Sequence, residues 1–126
     1  MKLHYDPCTV NCRKVLAGLK LMEIDFESEK YDYFDGLTGP SETGFRTLPA
    51  YLAINPMAEL PTLVDGDLKL WESNAILQYA ADARGASSAY PTDLKVRADI
   101  NRWLLWESNK WFASCYVYLV ENVVKP

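Results

Sequence analysis

Hydrophobic patterning predicts an α/β fold followed by one long helix. Three stretches carry that expectation: a strand-helix-strand run over the first thirty residues, an Asp-Gly hairpin that feeds a helix, and a long apolar helical run at the end. Lys2-Leu3-His4-Tyr5 reads as a short strand ending at Asp6-Pro7. From Asn11 to Met22, Val15, Leu16, Leu19 and Met22 recur at helical spacing, leaving Arg13, Lys14 and Lys20 for the other face. A second strand, Asp25 to Tyr31, alternates around Phe26. Strand, helix and strand in this order form a βαβ unit, with a parallel pair and a right-handed crossover.

Gly36, Gly39, Pro40, Ser41 and Gly44 make Gly36 to Thr47 turn-rich, so a mobile loop is predicted there, then a short helix from about Pro49 to Ile54. Thr62 to Val64 and Leu68 to Trp71 flank Asp65-Gly66, a dipeptide that supplies the positive φ of a tight hairpin turn. Pro61 has no N–H for a sheet ladder and so belongs at the first residue of its strand or on an edge. Ser73 and Asn74 offer side-chain oxygens to cap a helix over Ala75 to Ala83, and Gly85 is its expected C-terminal stop. The hairpin therefore ends beside a helix start rich in free N–H groups. Such a corner suits an anionic, peptide-like ligand.

Ala86-Ser87-Ser88-Ala89-Tyr90-Pro91 is a linker by composition, which divides the chain into a domain over residues 1–85, a linker over 86–92 and a helical segment over 93–126. Thr92-Asp93 can cap a helix running to about Val124, roughly 45 to 50 Å at ~1.5 Å per residue. Its apolar positions include Val96, Ile100, Trp103, Leu104, Leu105, Trp106, Trp111, Phe112 and Tyr116, interrupted by Glu107-Ser108-Asn109-Lys110. A single small domain does not cover so much aromatic surface, so association with further helices or another chain is expected.

Composition narrows the function classes. The 126 residues are 49% hydrophobic and 24% charged, ordinary for a globular protein. A net charge of −4 and no basic block argue against a nucleic-acid partner. No run approaches the roughly 20 apolar residues that span a bilayer, and the start lacks the apolar core of a signal peptide. Three cysteines preclude a complete disulfide framework, which fits a reducing cytoplasm. The one histidine, His4, is a strand residue with a hydrogen-bonded ring on this reading, since a metal site needs several ligands; no metal is expected.

Tyr5-Asp6-Pro7-Cys8-Thr9-Val10-Asn11-Cys12 runs from the first strand into the first helix. A helix start presents free N–H groups and about half a positive charge, which favours a thiolate over a thiol. Thr9 and Asn11 are also helix-capping residue types. Cys12, one turn in, and Cys115 read as buried small hydrophobes. The Cys8 to Cys12 spacing is not that of a Cys-x-x-Cys redox pair.

The run Asn55-Pro56-x-x-x-Leu60-Pro61-Thr62-Leu63, followed by Glu72-Ser73-Asn74-Ala75-Ile76-Leu77-x-Tyr79, resembles the glutathione-binding signature of cytosolic glutathione transferases. With the N-terminus, the resemblance covers the chain from Met1 to about Lys125. It implies a thioredoxin-like βαβ-α-ββα domain with a cis Pro61, followed by the first long helix of an all-α second domain. Either the chain is truncated there or it completes its helical layer by assembly as a homodimer. The resemblance also implies glutathione as substrate: the Leu60 backbone pairs with its cysteinyl part, and Glu72 and Ser73 hold its γ-glutamyl end. For the sulfur it offers several candidates. Thr9 falls where theta- and phi-like members carry a serine, and Thr9-x-Asn11 resembles the nu-like members, in which disulfide reduction is typical. Cys8 falls where beta-like members carry a cysteine that forms a mixed disulfide, and Tyr5 near the tyrosine of alpha-, mu- and pi-like members. Arg46 is the nearest cation for the glycine carboxylate. Ala58-Glu59 departs from the family's frequent Gly followed by Lys or Gln, and a carboxylate at Glu59 does not attract another. The implied activity is thiolate attack on a small electrophile; the alternatives are glutathione-dependent disulfide reduction and a non-catalytic binding module.

Overall fold

The computed structural model describes residues 1–37, 39, 41–118, 121 and 122. Its elements are β1 (Lys2–Tyr5), α1 (Val10–Leu21), β2 (Glu27–Lys30), α2 (Pro49–Leu52), β3 (Thr62–Asp65), β4 (Leu68–Trp71), α3 (Ser73–Ala83) and α4 (Leu94–Trp106). The first seven form one compact unit over Met1–Ala86, and α4 belongs to a second over Ser87–Pro126. The sheet order is β2-β1-β3-β4, with β1 and β2 parallel and β3 antiparallel to both β1 and β4. This is the expected βαβ unit joined to the expected hairpin. At its turn Gly66 takes φ +61, which a side chain would oppose.

The two-residue period of the strands sorts the sheet into two faces. Leu3 pairs with Leu63, and both are fully buried with Val15 and Leu19 of α1 and Ile76 and Ala80 of α3. Burying each of the larger side chains contributes about 1.5–3 kcal/mol. Gly18 lets the two helices meet: a Cβ there would fall 2.4 Å from Leu77. His4 pairs with Thr62 and belongs to the opposite face, near Tyr31 and Tyr51. The His4 ring lies 3.3 Å from the Tyr31 hydroxyl, which donates to Glu29 at 2.9 Å, so His4 is the hydrogen-bonded strand residue expected. Burial of its ring lowers its pKa. A second cluster on this side joins Cys12, Phe45, Tyr51 and Leu60.

Several local expectations change. The described part of Gly36 to Thr47 forms no helix or strand, as expected, yet it is anchored: Phe45 is buried, and the Arg46 guanidinium donates to the carbonyls of Tyr33 and Asp35 at 2.7 and 3.2 Å. The N-cap of α3 is Glu72, without a side-chain cap, because Ser73 already belongs to the helix. At the other end of α3, the Gly85 and Ala86 amides return to the Asp82 and Ala81 carbonyls, the stop expected at Gly85.

Ala58 stands at φ +54 in the turn before Leu60. A left-handed residue other than glycine costs ~1–2 kcal/mol, part of which glycine returns through the flexibility of the unfolded chain. Ala58→Gly is therefore expected to stabilise the protein by about 0.5–1 kcal/mol. Thermal unfolding checks this; an unchanged or lower midpoint would contradict the assignment of strain.

Asp93 caps α4, accepting from the Lys95 and Val96 amides at 3.0 Å each. The helix continues over Glu107–Val117 in the wider π winding. It widens where Ser108 bonds the Leu104 and Leu105 carbonyls and Asn109 the Leu105 carbonyl, side-chain bonds that compete with the helical ladder. The predicted continuation to Val124 lies partly outside the described residues. No residue of α4 or of Glu107–Val117 is buried; Trp103 and Leu105 are 55% and 62% exposed. Cys115 is exposed, against the expectation of burial, while Cys12 is fully buried. No described helix is long and apolar enough to cross a membrane.

Candidate functional site

The loop between β1 and α1 is ordered around Asp6. Its buried carboxylate accepts the Cys8 amide at 2.9 Å, an Asx turn, and the Tyr33 amide at 2.7 Å. Burial opposes its charge, but these two amides outweigh it and hold its pKa below the ordinary carboxylate value. The Asp6 carbonyl accepts the Thr9 amide at 3.2 Å. Thr9 is thereby set in extended backbone as the N-cap of α1, and its Oγ1 accepts the Cys12 amide at 3.1 Å. As a donor the Thr9 hydroxyl lies 3.4 Å from the Asp6 carbonyl, and it also reaches the Cys12 side chain. The capping role is thus real. The N–H groups of Val10 and Asn11 lie in the first turn, where no helical acceptor exists for them.

Two other segments reach this helix start. Leu60–Pro61 is a cis peptide, and Leu60 packs in one cluster with Cys12, one turn into α1. Ser73, at the first position of α3, donates its hydroxyl to Asn11 Oδ1 at 3.4 Å across 62 residues of sequence. Before it, the exposed Glu72 adopts φ +71, ψ 107, a strained conformation of the sort that concentrates at ligand sites. The structure thus gathers Thr9, Asn11, Leu60, Pro61, Glu72 and Ser73 around the head of α1.

The remaining candidates behave differently. Tyr5 is half-buried between the two core clusters, with its carbonyl bonded to the Tyr31 amide at 2.9 Å. Cys8 is exposed as a residue, but its sulfur is partly withdrawn from water and lies near the Asp6 carboxylate; together these push its pKa up to about 11. Arg46 is committed to the loop, with its guanidinium stacked 4.4 Å from the Phe45 ring centre and 4.6 Å from that of Tyr33. No group of His, Cys, Asp and Glu suited to a metal ion occurs among the described residues.

Sequence reasoning missed the support behind Leu60–Pro61. Asn55 is fully buried; its Nδ2 donates to the Glu59 carbonyl at 2.9 Å and to Thr62 Oγ1 at 2.8 Å, while its Oδ1 accepts the Met57 amide at 3.0 Å. The Tyr51 hydroxyl donates to the same Glu59 carbonyl at 2.5 Å and lies 2.8 Å from Thr62 Oγ1. The available signal was Thr62, a polar residue paired with His4 inside the sheet.

Comparison with known proteins identifies the family. The chain is 30% identical to glutathione S-transferase F4 of Arabidopsis thaliana, over 99% of its own length and 49% of the relative's. It is 31% identical to human glutathione S-transferase theta-1, over its full length and 50% of the relative's. Among solved structures it resembles the theta class glutathione S-transferase of Xanthomonas axonopodis pv. citri, determined with glutathione bound. There the identity is 33%, the TM-score 0.79, and the match covers 99% of this chain and 56% of that one. The chain thus spans about half the length of these relatives. Residues 4–82, well over half of the chain, match the family described as glutathione S-transferase, N-terminal domain, and the chain belongs to that family.

Proposed function

We propose that this chain carries the glutathione site of a glutathione transferase, one that holds glutathione as thiolate for attack on a small electrophile. Supporting it above all is the meeting of Asn11 and Ser73, which joins the heads of α1 and α3. In this reading the Leu60 main chain, presented by cis Pro61, pairs with the cysteinyl part of glutathione. The strained Glu72 and the Ser73 hydroxyl take its γ-glutamyl end. The sulfur lies at the head of α1, where the Thr9 hydroxyl turns its proton from the Asp6 carbonyl to the thiolate, and where the Asn11 amide and the first-turn N–H groups add to the same field. Lowering a thiol pKa by ~2 units takes ~2.7 kcal/mol of preferential stabilisation, within reach of one or two charge-assisted hydrogen bonds and a helix end. Rate gain then comes from thiolate fraction and placement. Arg46, being engaged in its own loop, is left out of the ligand set.

A homodimer, a small electrophilic substrate and a cytoplasmic setting belong to the same proposal; the exposed Trp103, Leu105 and Trp106 favour association. Calorimetric titration with glutathione, followed by turnover of an aromatic halide electrophile and of a small disulfide, tests the reading. Binding with conjugation is expected. Binding with disulfide reduction alone would select the reductase alternative, binding without turnover would select the non-catalytic module, and no binding would overturn the site.

A further inference from the structure

We propose that Tyr51, Asn55 and Thr62 are positioning residues of the ligand site: their side chains form a closed hydrogen-bond relay on the Glu59 carbonyl that polarises the Glu59–Leu60 peptide and fixes the direction of its N–H toward an amide carbonyl of the ligand. This deepens the glutathione reading and rests on it. Tyr51, Asn55 and Thr62 are each at most 2% exposed, so water does not compete for their protons. The Asn55 amide is oriented by its Oδ1, which accepts the Met57 amide at 3.0 Å and leaves Nδ2 facing the relay. One Nδ2 proton goes to the Glu59 carbonyl at 2.9 Å and the other to Thr62 Oγ1 at 2.8 Å. Tyr51 has a single proton, and its shortest contact is the Glu59 carbonyl at 2.5 Å. The Thr62 proton then goes to the Tyr51 oxygen at 2.8 Å, in preference to its 3.4 Å contact with the same carbonyl. Every proton is used once, and each lone pair of the carbonyl accepts one bond. Burial pushes the Tyr51 pKa up to about 12, so the hydroxyl keeps the proton it donates.

The Glu59 carbonyl and the Leu60 N–H belong to one planar trans peptide, in which they point to opposite sides. The relay holds one side, and the N–H faces away from it. Among the described residues that N–H has no protein acceptor. Hydrogen bonds in a chain polarise one another, by roughly 10–30% per bond, so the two bonds accepted by the carbonyl strengthen the N–H as a donor. On the glutathione reading, the acceptor it meets is the cysteinyl carbonyl. The relay uses the main chain of Glu59, so a carboxylate side chain at that position is compatible with it.

Tyr51→Phe keeps the ring in its aromatic cluster and removes only the relay hydroxyl, and two readouts on the folded variant test the proposal. In the ligand-free protein the amide nitrogen and proton resonances of Leu60 are expected to move upfield relative to wild type, as a less polarised peptide requires. In calorimetric titration the glutathione dissociation constant is expected to rise about three- to fivefold, the scale of one neutral hydrogen bond. A merely structural Tyr51 would lower the unfolding midpoint and leave both the Leu60 resonances and the affinity of the folded protein unchanged, and that result would overturn the proposal. Absence of glutathione binding by the wild type would overturn the functional reading and the ligand half of this one, while the Leu60 resonances separate that failure from failure of the relay. Should Tyr51→Phe not fold, Thr62→Ser and Thr62→Val decide. Serine keeps the relay hydroxyl and is expected to keep the affinity, valine is expected to lose it, and equal affinity in the two would contradict the relay.

Discussion

Replacing Asn55 by alanine is expected to lower stability by about 3 kcal/mol, a large share of what a domain of this size has to spare. The side chain is fully buried and makes three hydrogen bonds, to the Glu59 carbonyl, Thr62 Oγ1 and the Met57 amide. Alanine deletes all three and leaves the Met57 amide without its acceptor. Asn55→Asp keeps an acceptor for Met57 but turns a second one toward the Glu59 carbonyl, so it should cost at least as much. Tyr51→Phe removes a second donor to that carbonyl and is expected to cost less, about 1–2 kcal/mol, since Asn55 and Thr62 remain. Denaturant unfolding measures all three. A loss below about 1 kcal/mol for Asn55→Ala would mean that water or a rearranged loop replaces the network.

Thr9→Ala is expected to reduce conjugation about 100-fold while glutathione affinity changes only a few-fold. The hydroxyl has two roles with different magnitudes. As N-cap it accepts the Cys12 amide, and its removal costs ~1 kcal/mol of stability. As donor to a thiolate it acts where charge resides, from a side chain that is itself buried, and there one hydrogen bond carries a larger effect on rate. Thr9→Ser preserves both roles and should remain active. Equal loss in the serine and alanine variants would point to packing of the threonine methyl, and unchanged turnover in Thr9→Ala would remove Thr9 from the mechanism.

Most secondary elements were legible because they rest on local signals. Val15 and Leu19 mark the buried stripe of α1, Asp65-Gly66 marks the hairpin, Gly85 the stop of α3 and Asp93 the start of α4. The expectation failed where a distant partner outbids a local one. Ser73 has the chemistry of a cap, yet its hydroxyl meets Asn11, 62 residues away, and the chain reaches α3 through Glu72 at positive φ instead. Turn residues between Gly36 and Thr47 gave no sign that Phe45 would be buried or that Arg46 would brace the loop, because Phe45 packs against Tyr31 and Tyr51 and Arg46 against Tyr33. Cys115 is an apolar type at an apolar-looking helix position, but burial needs a neighbour, and composition cannot supply one. The candidate site was legible as residues through a family resemblance, whereas its electrostatics were not: only the fold sets the Asp6 carboxylate beside Cys8.

The ultraviolet absorbance of thiolate in the glutathione complex, followed against pH, bears most directly on the head of α1 as a thiolate site. Bound glutathione is expected to ionise ~2 pH units below free glutathione, and Thr9→Ala should return most of that shift. Bound glutathione that titrates like the free peptide, in wild type and variant alike, would contradict the account.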